Sequence, residues 1–172
     1  TGWYTKSLSL RNKFRSTKMH NTVIINNKEI NSIDKAKYFS LFSNSFSKIL
    51  SHKIKPKYDE IFCIRKDDYK GEAESAHYRS FTYIKNDKLI INDKIISNGK
   101  FNASSYLHFH PLLNPELVYD NNNYFIKGIK NLIIKIIDES KSFKSIKINS
   151  SLFSKSFGII EKSKKLKIDI AG

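Results

Sequence analysis

Apolar residues recur at every second position through most of this chain, and that period commits it to β-strands before any other property is weighed. The tail KKLKIDIAG sets Leu166, Ile168 and Ile170 against Lys165, Lys167 and Asp169, as a strand with one buried and one wet face does. In HNTVIIN, Asn21, Val23 and Ile25 share one face and His20, Thr22 and Ile24 the other. HYRSFTYIKNDKLIINDKIISNG carries two strand-like runs, Tyr78 to Ile84 and Lys88 to Ile91, about Lys85-Asn86-Asp87, which has the turn chemistry of a hairpin. SYLHFHP alternates and stops at Pro111, and ELVYDNNNYFIKGI reads as strand, turn and strand with Asn121 to Asn123 at the turn. Many short strands at hairpin spacing predict an all-β fold, an antiparallel two-layer β-sandwich with little helix.

One stretch departs from the pattern. SIDKAKYFSLFSNSFSKIL, Ser32 to Leu50, has apolar residues at Ala36, Phe39, Phe42, Phe46 and Ile49 that would suit a helix. Serine is a poor helix-interior residue, so a loop or short strands are the expectation. No repeat of fixed period is present. With three prolines and six glycines, neither clustered, no interdomain linker is visible either. A single β-sandwich domain over residues 1–172 is expected, long enough to bury a core. The start Thr1-Gly2-Trp3-Tyr4 has no Met and no leader, and reads as a piece of something longer.

The net charge of +15 points to an anionic partner, but its make-up tempers the inference. Only Arg11, Arg15, Arg65 and Arg79 are arginines among 31 basic residues; the remainder are lysines spread over the whole length. Lys, Ile and Asn all have A/T-rich codons, so genome composition accounts for part of the excess. No helix-turn-helix, zinc-finger spacing or RNP-type motif supports nucleic acid as the partner. The lone Cys63 excludes a disulfide framework, a CxxC redox pair and a cysteine zinc site. No apolar run approaches the roughly 20 residues of a membrane helix, the stretch Leu132 to Ile137 being broken by Lys135, so no membrane span is expected.

The order GWY, LRNKFRSTKMHNTVIIN, AHYRSFTYIKNDKLIINDKI, YLHFHP and SLFSKSFGIIEKSKKLKI resembles the C-terminal β domain of the heparinase II/III family of bacterial polysaccharide lyases. The specific element is R-x-x-F-R-S-T-x-x-H-N-T-V, Arg11 to Val23; the later strands would suit any sandwich. The resemblance implies a sandwich that packs against an N-terminal helical toroid, so that this chain is about the last third of its parent. It also implies a periplasmic or extracellular bacterial protein that cleaves an acidic, uronic-acid polysaccharide by β-elimination. In the family the Tyr and Asn or His groups that do most of the chemistry lie on the toroid, and an H-x-H-x-D motif lies just before the point where this chain begins. No catalytic residue is therefore assigned here, and the isolated chain is expected to be inactive.

The resemblance further places a structural zinc on the histidine of HNTV, here His20, with the remaining ligands upstream. Zinc wants about four ligands, so this chain alone is expected to bind none. A histidine capping the strand entrance is the competing reading. Arg11 and Arg15, four apart, would line the face that meets substrate or toroid, against the plainer reading of a salt bridge to an acidic neighbour. At AHYRS the family has a similar H-x-R, which adds His77 and Arg79 to the candidate substrate-binding residues; sheet packing is the alternative. His108 and His110, two apart on a strand, share one face as a metal pair would, or form a hydrogen-bonded interior pair. His52 reads as a solvated surface residue. No G-x-S-x-G elbow supports a serine hydrolase.

Two other function classes stay open. A non-catalytic carbohydrate-binding sandwich would show no long helical region with Tyr and His upstream of Thr1. A nucleic-acid module would need lysines grouped on one face with stacking aromatics.

Overall fold

In the computed structural model, which describes residues 7–34, 40–67, 75–129 and 132–172, a short helix is followed almost entirely by strands. Helix α1 is Leu8–Arg15, with a 3-10 turn at Thr17–Met19 after it. The strands are β1 Val23–Ile25, β2 Ser45–Ile54, β3 Tyr58–Asp67, β4 Ser75–Ile84, β5 Lys88–Ser97 and β6 Asn102–His108, then β7 Glu116–Asp120, β8 Asn123–Ile129, β9 Leu132–Ile136, β10 Phe143–Ser156 and β11 Ile159–Ala171. They form three sheets, ordered β1-β6-β11-β10, β2-β3-β4-β5 and β7-β8-β9. Every strand pairing among the described residues is antiparallel. The all-β antiparallel expectation holds, and no helix among them is long and apolar enough to cross a membrane.

The described residues fall into two compact units, one drawn from 1–29, 33–41 and 101–172, the other from 30–32 and 42–100. In the first, two sheets meet as a sandwich. Leu166 of β11, Ile126 of β8, Ile136 of β9 and Phe109 form its core, flanked by Ile146, Ile148, Ile168 and Ile134. These are the inward members of the period-two pattern, and full burial, as at Leu166 and Ile126, contributes about 1.5–3 kcal/mol per side chain. The β7–β8 turn is the pair Asn121-Asn122, both with positive φ (46° and 60°), which asparagine tolerates better than other residues with a side chain. Gly128 stands where the β8–β9 register shifts; its φ is +76°, and a Cβ there would lie 2.1 Å from the Asn114 carbonyl oxygen. Only glycine fits that position.

Helix α1 was not anticipated from the alternation. Ser7 caps it, its Oγ accepting from the Leu10 N–H at 3.3 Å, and Arg11 and Phe14 form its buried side. The Ser16 N–H bonds the Lys13 carbonyl as the helix ends. β1 is only three residues long, and all three are buried; Ile24 sits opposite Ser104 of β6.

The second unit is a four-stranded meander. Asn86 supplies the positive φ (61°) at the β4–β5 turn, where the sequence placed a hairpin. In Ser32 to Leu50 the described part has a bridge between Ile33 and Leu41 and then β2, so strand character prevails there; Ala36 and Phe39 lie outside the described residues. Cys63, on β3, is half-buried. His52, on β2, is exposed as expected.

Candidate functional site

In the first unit, Lys165, Lys167 and Asp169 occupy the face of β11 opposite the core. The register sets Lys165 beside His108, Lys167 beside Tyr106 and Asp169 beside Ser104 on β6. On β10 the same three meet Asn149, Lys147 and Ser145. Such a polar sheet face would ordinarily be open to water. Here the turn after α1 is tied to one end of it through a single carbonyl, that of Lys18, which accepts from His108 Nε2 at 3.0 Å and from Lys165 Nζ at 3.2 Å. Asn21 Oδ1 adds a third tie, accepting the His108 backbone N–H at 2.8 Å.

These contacts decide the state of His108. A carbonyl only accepts, so Nε2 carries the proton, and Nδ1 is left to accept from the Ser151 hydroxyl at 3.2 Å. Burial lowers the imidazole pKa below its ordinary value. The Lys18 carbonyl opposes that shift, while the charges of Lys165 and His20 add to it. Lys165 is lowered too, first by burial and then by Lys18, Lys13 and Lys167, all of like sign. Its ammonium lies 4.8 Å from the centre of the buried Tyr106 ring. At the far end Asp169 accepts from Ser104 at 2.6 Å and Ser145 at 2.7 Å and pairs with Lys167 at 2.7 Å. Burial alone would raise this carboxyl; those partners outweigh it and hold it below the usual range.

The second unit holds a different cluster. Arg79 on β4 faces Asp93 on β5, and grips it with Nε to Oδ1 at 2.6 Å and Nη2 to Oδ2 at 2.8 Å. His77, two residues before Arg79 and so on the same face, brings Nε2 to the same Oδ1 at 2.7 Å. Burial by itself would raise the Asp93 carboxyl, but the hydrogen bonds and charges of His77 and Arg79 prevail and bring it to about 2. His77 is 5% exposed. The grouping is an ionic anchor between neighbouring strands.

The residues singled out in the sequence thus separate. Arg11 is 1% exposed, its Nη2 donating to Asn12 Oδ1 at 2.9 Å, and it is held within the first unit. Arg15 is half-buried and donates to the Ser40 carbonyl, with Asp34 near enough to act on its charge. His20 is exposed, its charge reaching His108. His77 and Arg79 do share a face, with Asp93 as the acceptor that sequence reading missed. His108 and His110 take different partners: the His110 ring meets Phe153 edge-on at 5.1 Å and its Nδ1 accepts from the Leu112 N–H at 3.3 Å. No three His, Cys, Asp or Glu side chains among the described residues converge as metal ligands. The Lys18, His108 and Lys165 knot also escaped the sequence. The only hint was alternation putting Lys165 and Lys167 on one face.

A model of the family described as "Heparinase II/III-like, C-terminal" matches residues 1–172. Two solved structures are similar in fold. One is a mutant of the heparan sulfate lyase HepC from Pedobacter heparinus, with TM-score 0.72 and 15% identity over 99% of this chain and 25% of that one. The other is HepC from the same organism, with TM-score 0.68 and 14% identity over the same shares. Among curated proteins none matches. The chain therefore spans about a quarter of the length of the lyases it resembles.

Proposed function

Because this chain belongs to the heparinase II/III-like C-terminal family, we propose that it is the β module of a polysaccharide lyase that cleaves an acidic, uronic-acid polysaccharide by β-elimination. The match over the entire chain carries this reading. The solved lyases of similar fold, both named for heparan sulfate, support it. In such a reaction the uronate carboxylate must be neutralised so that its C5 proton becomes acidic. A base then removes that proton and an acid protonates the departing O4. The base and acid would come from the parent outside this chain, in a bacterial periplasmic or extracellular protein.

What this chain would supply is charge and position. Arg15 and His20 are the more accessible of the sequence-derived candidates, and the proposal gives them the surface that meets the rest of the parent or its anionic substrate. Arg11 would serve by holding that surface in shape, and His77 and Arg79 by holding β4 to β5 in the other unit. The described residues do not fit a zinc ion by themselves; a zinc in the parent would take His20 as one of about four ligands.

The test is an elimination assay read by the ultraviolet absorbance of the unsaturated uronate, with heparan sulfate and hyaluronan as substrates. The parent is expected to give the signal and the 172-residue chain to give none. Reducing ends produced without that absorbance would indicate hydrolysis and sink the reading.

A further inference from the structure

We propose that the face formed by Lys13, Lys18, Lys147, Lys165 and Lys167 is a binding surface for the anionic groups of a polysaccharide. This inference rests on the lyase reading and adds to it which surface of this chain touches the polymer.

Three observations carry it. The first is the density of like charge. Lys147 and Lys167 stand directly opposite one another on neighbouring strands, a placement that destabilises a sheet. Lys165 feels Lys18, Lys13 and Lys167 together. Asp169 answers only part of this, being paired with Lys167 and already accepting two serine hydroxyls. The second is that the two cations of β11 are held in place, Lys165 Nζ donating to the Lys18 carbonyl at 3.2 Å and Lys167 pairing with Asp169 at 2.7 Å. The Lys18 carbonyl is fixed by His108 and Lys165, and His108 in turn by Ser151 and Asn21. An anion arriving here meets, at Lys165 and Lys167, charges whose ordering cost has been met by the fold.

The third separates a polysaccharide from nucleic acid. Among the described residues, the aromatic ring at the centre of this face is that of Tyr106, which is buried and covered by the Lys165 ammonium. It offers no surface on which a base could stack, the contact that single-stranded nucleic acid needs. Lysines act as point charges rather than as planar forks, and sulfate and carboxylate groups on a flexible sugar chain suit them.

The experiment measures binding of the 172-residue chain to heparan sulfate, to unsulfated hyaluronan and to short single-stranded DNA. It compares Lys13→Gln/Lys18→Gln/Lys147→Gln with Lys48→Gln/Lys57→Gln/Lys94→Gln, which removes the same charge from exposed positions in the other unit. The first variant is expected to lose about tenfold in affinity for the polysaccharide, the second less than about twofold. Stronger binding of heparan sulfate than hyaluronan assigns the surface to sulfate; equal binding assigns it to carboxylate. Equal losses in both variants would overturn the site and leave only diffuse attraction, with the lyase reading intact. Tighter binding of DNA than of either polysaccharide would overturn the choice of ligand, and no binding by the unmodified chain would overturn the surface altogether. A Lys165→Gln variant melting at an unchanged temperature while losing affinity would add support independent of the triple variant.

Discussion

Asp93 is the shared acceptor for Arg79 and His77, and its fork with Arg79 spans β4 and β5 at 2.6 and 2.8 Å. Removing the carboxylate leaves a buried histidine and a guanidinium without their acceptor. Asp93→Ala is therefore expected to cost about 3–5 kcal/mol in urea unfolding. A loss below about 1 kcal/mol would show that the cluster contributes little beyond what solvent supplies.

The same carboxylate sets a pH dependence. Its folded pKa of about 2 lies below the ordinary 3.8, so its contribution is fully present above 3.8 and is lost as the pH falls toward 2. The expected size is about 2 kcal/mol. Asp93→Asn should flatten that part of the stability profile; an unchanged slope would assign acid sensitivity to other groups.

His108 works in the same direction at milder pH. Its folded pKa is lowered from 6.5, so the unfolded chain takes the proton first. Stability is highest above 6.5 and declines as the pH drops through the folded value. The His108 ring should titrate below 6.5 by NMR, and His108→Gln should cost about 1–2 kcal/mol at neutral pH.

Within Arg11 to Val23 the costs of truncation should diverge. His20→Ala, at an exposed position, is expected to change stability by less than about 1 kcal/mol. Arg11→Ala should cost more than about 2 kcal/mol, through lost packing of a buried stem as well as lost charge. Arg15→Ala should fall between them because of its bond to the Ser40 carbonyl. Thermal melts of the three variants give the order directly.

Gly128→Ala should be more damaging than truncation of His20 or Arg15. The new methyl would meet the Asn114 carbonyl oxygen at 2.1 Å in a backbone conformation that disfavours side chains. A loss of at least about 2 kcal/mol, or failure to fold, is expected. A neutral result in denaturant unfolding would mean that the 113–116 segment yields easily.

The strands, their alternation and most of their turns were legible in the chain, because a side chain in a strand faces one way or the other according to its own position. Leu166 and Ile168 point to the core as their spacing required, and Asn86 and Asn121 turn where the sequence put turns. The family was legible too, from Arg11 to Val23. Helix α1 was less so, since one serine cap and a buried Arg11 and Phe14 make a weak helical signal beside so much period two. What only the tertiary structure decided is which polar groups meet. Asp93 is 14 residues from Arg79, and Lys18 is 90 residues from His108 and 147 from Lys165. Hydrogen bonds and ion pairs depend on distances of a few ångströms between strands, and strand register and chain return set those distances, while local periodicity only assigns the face.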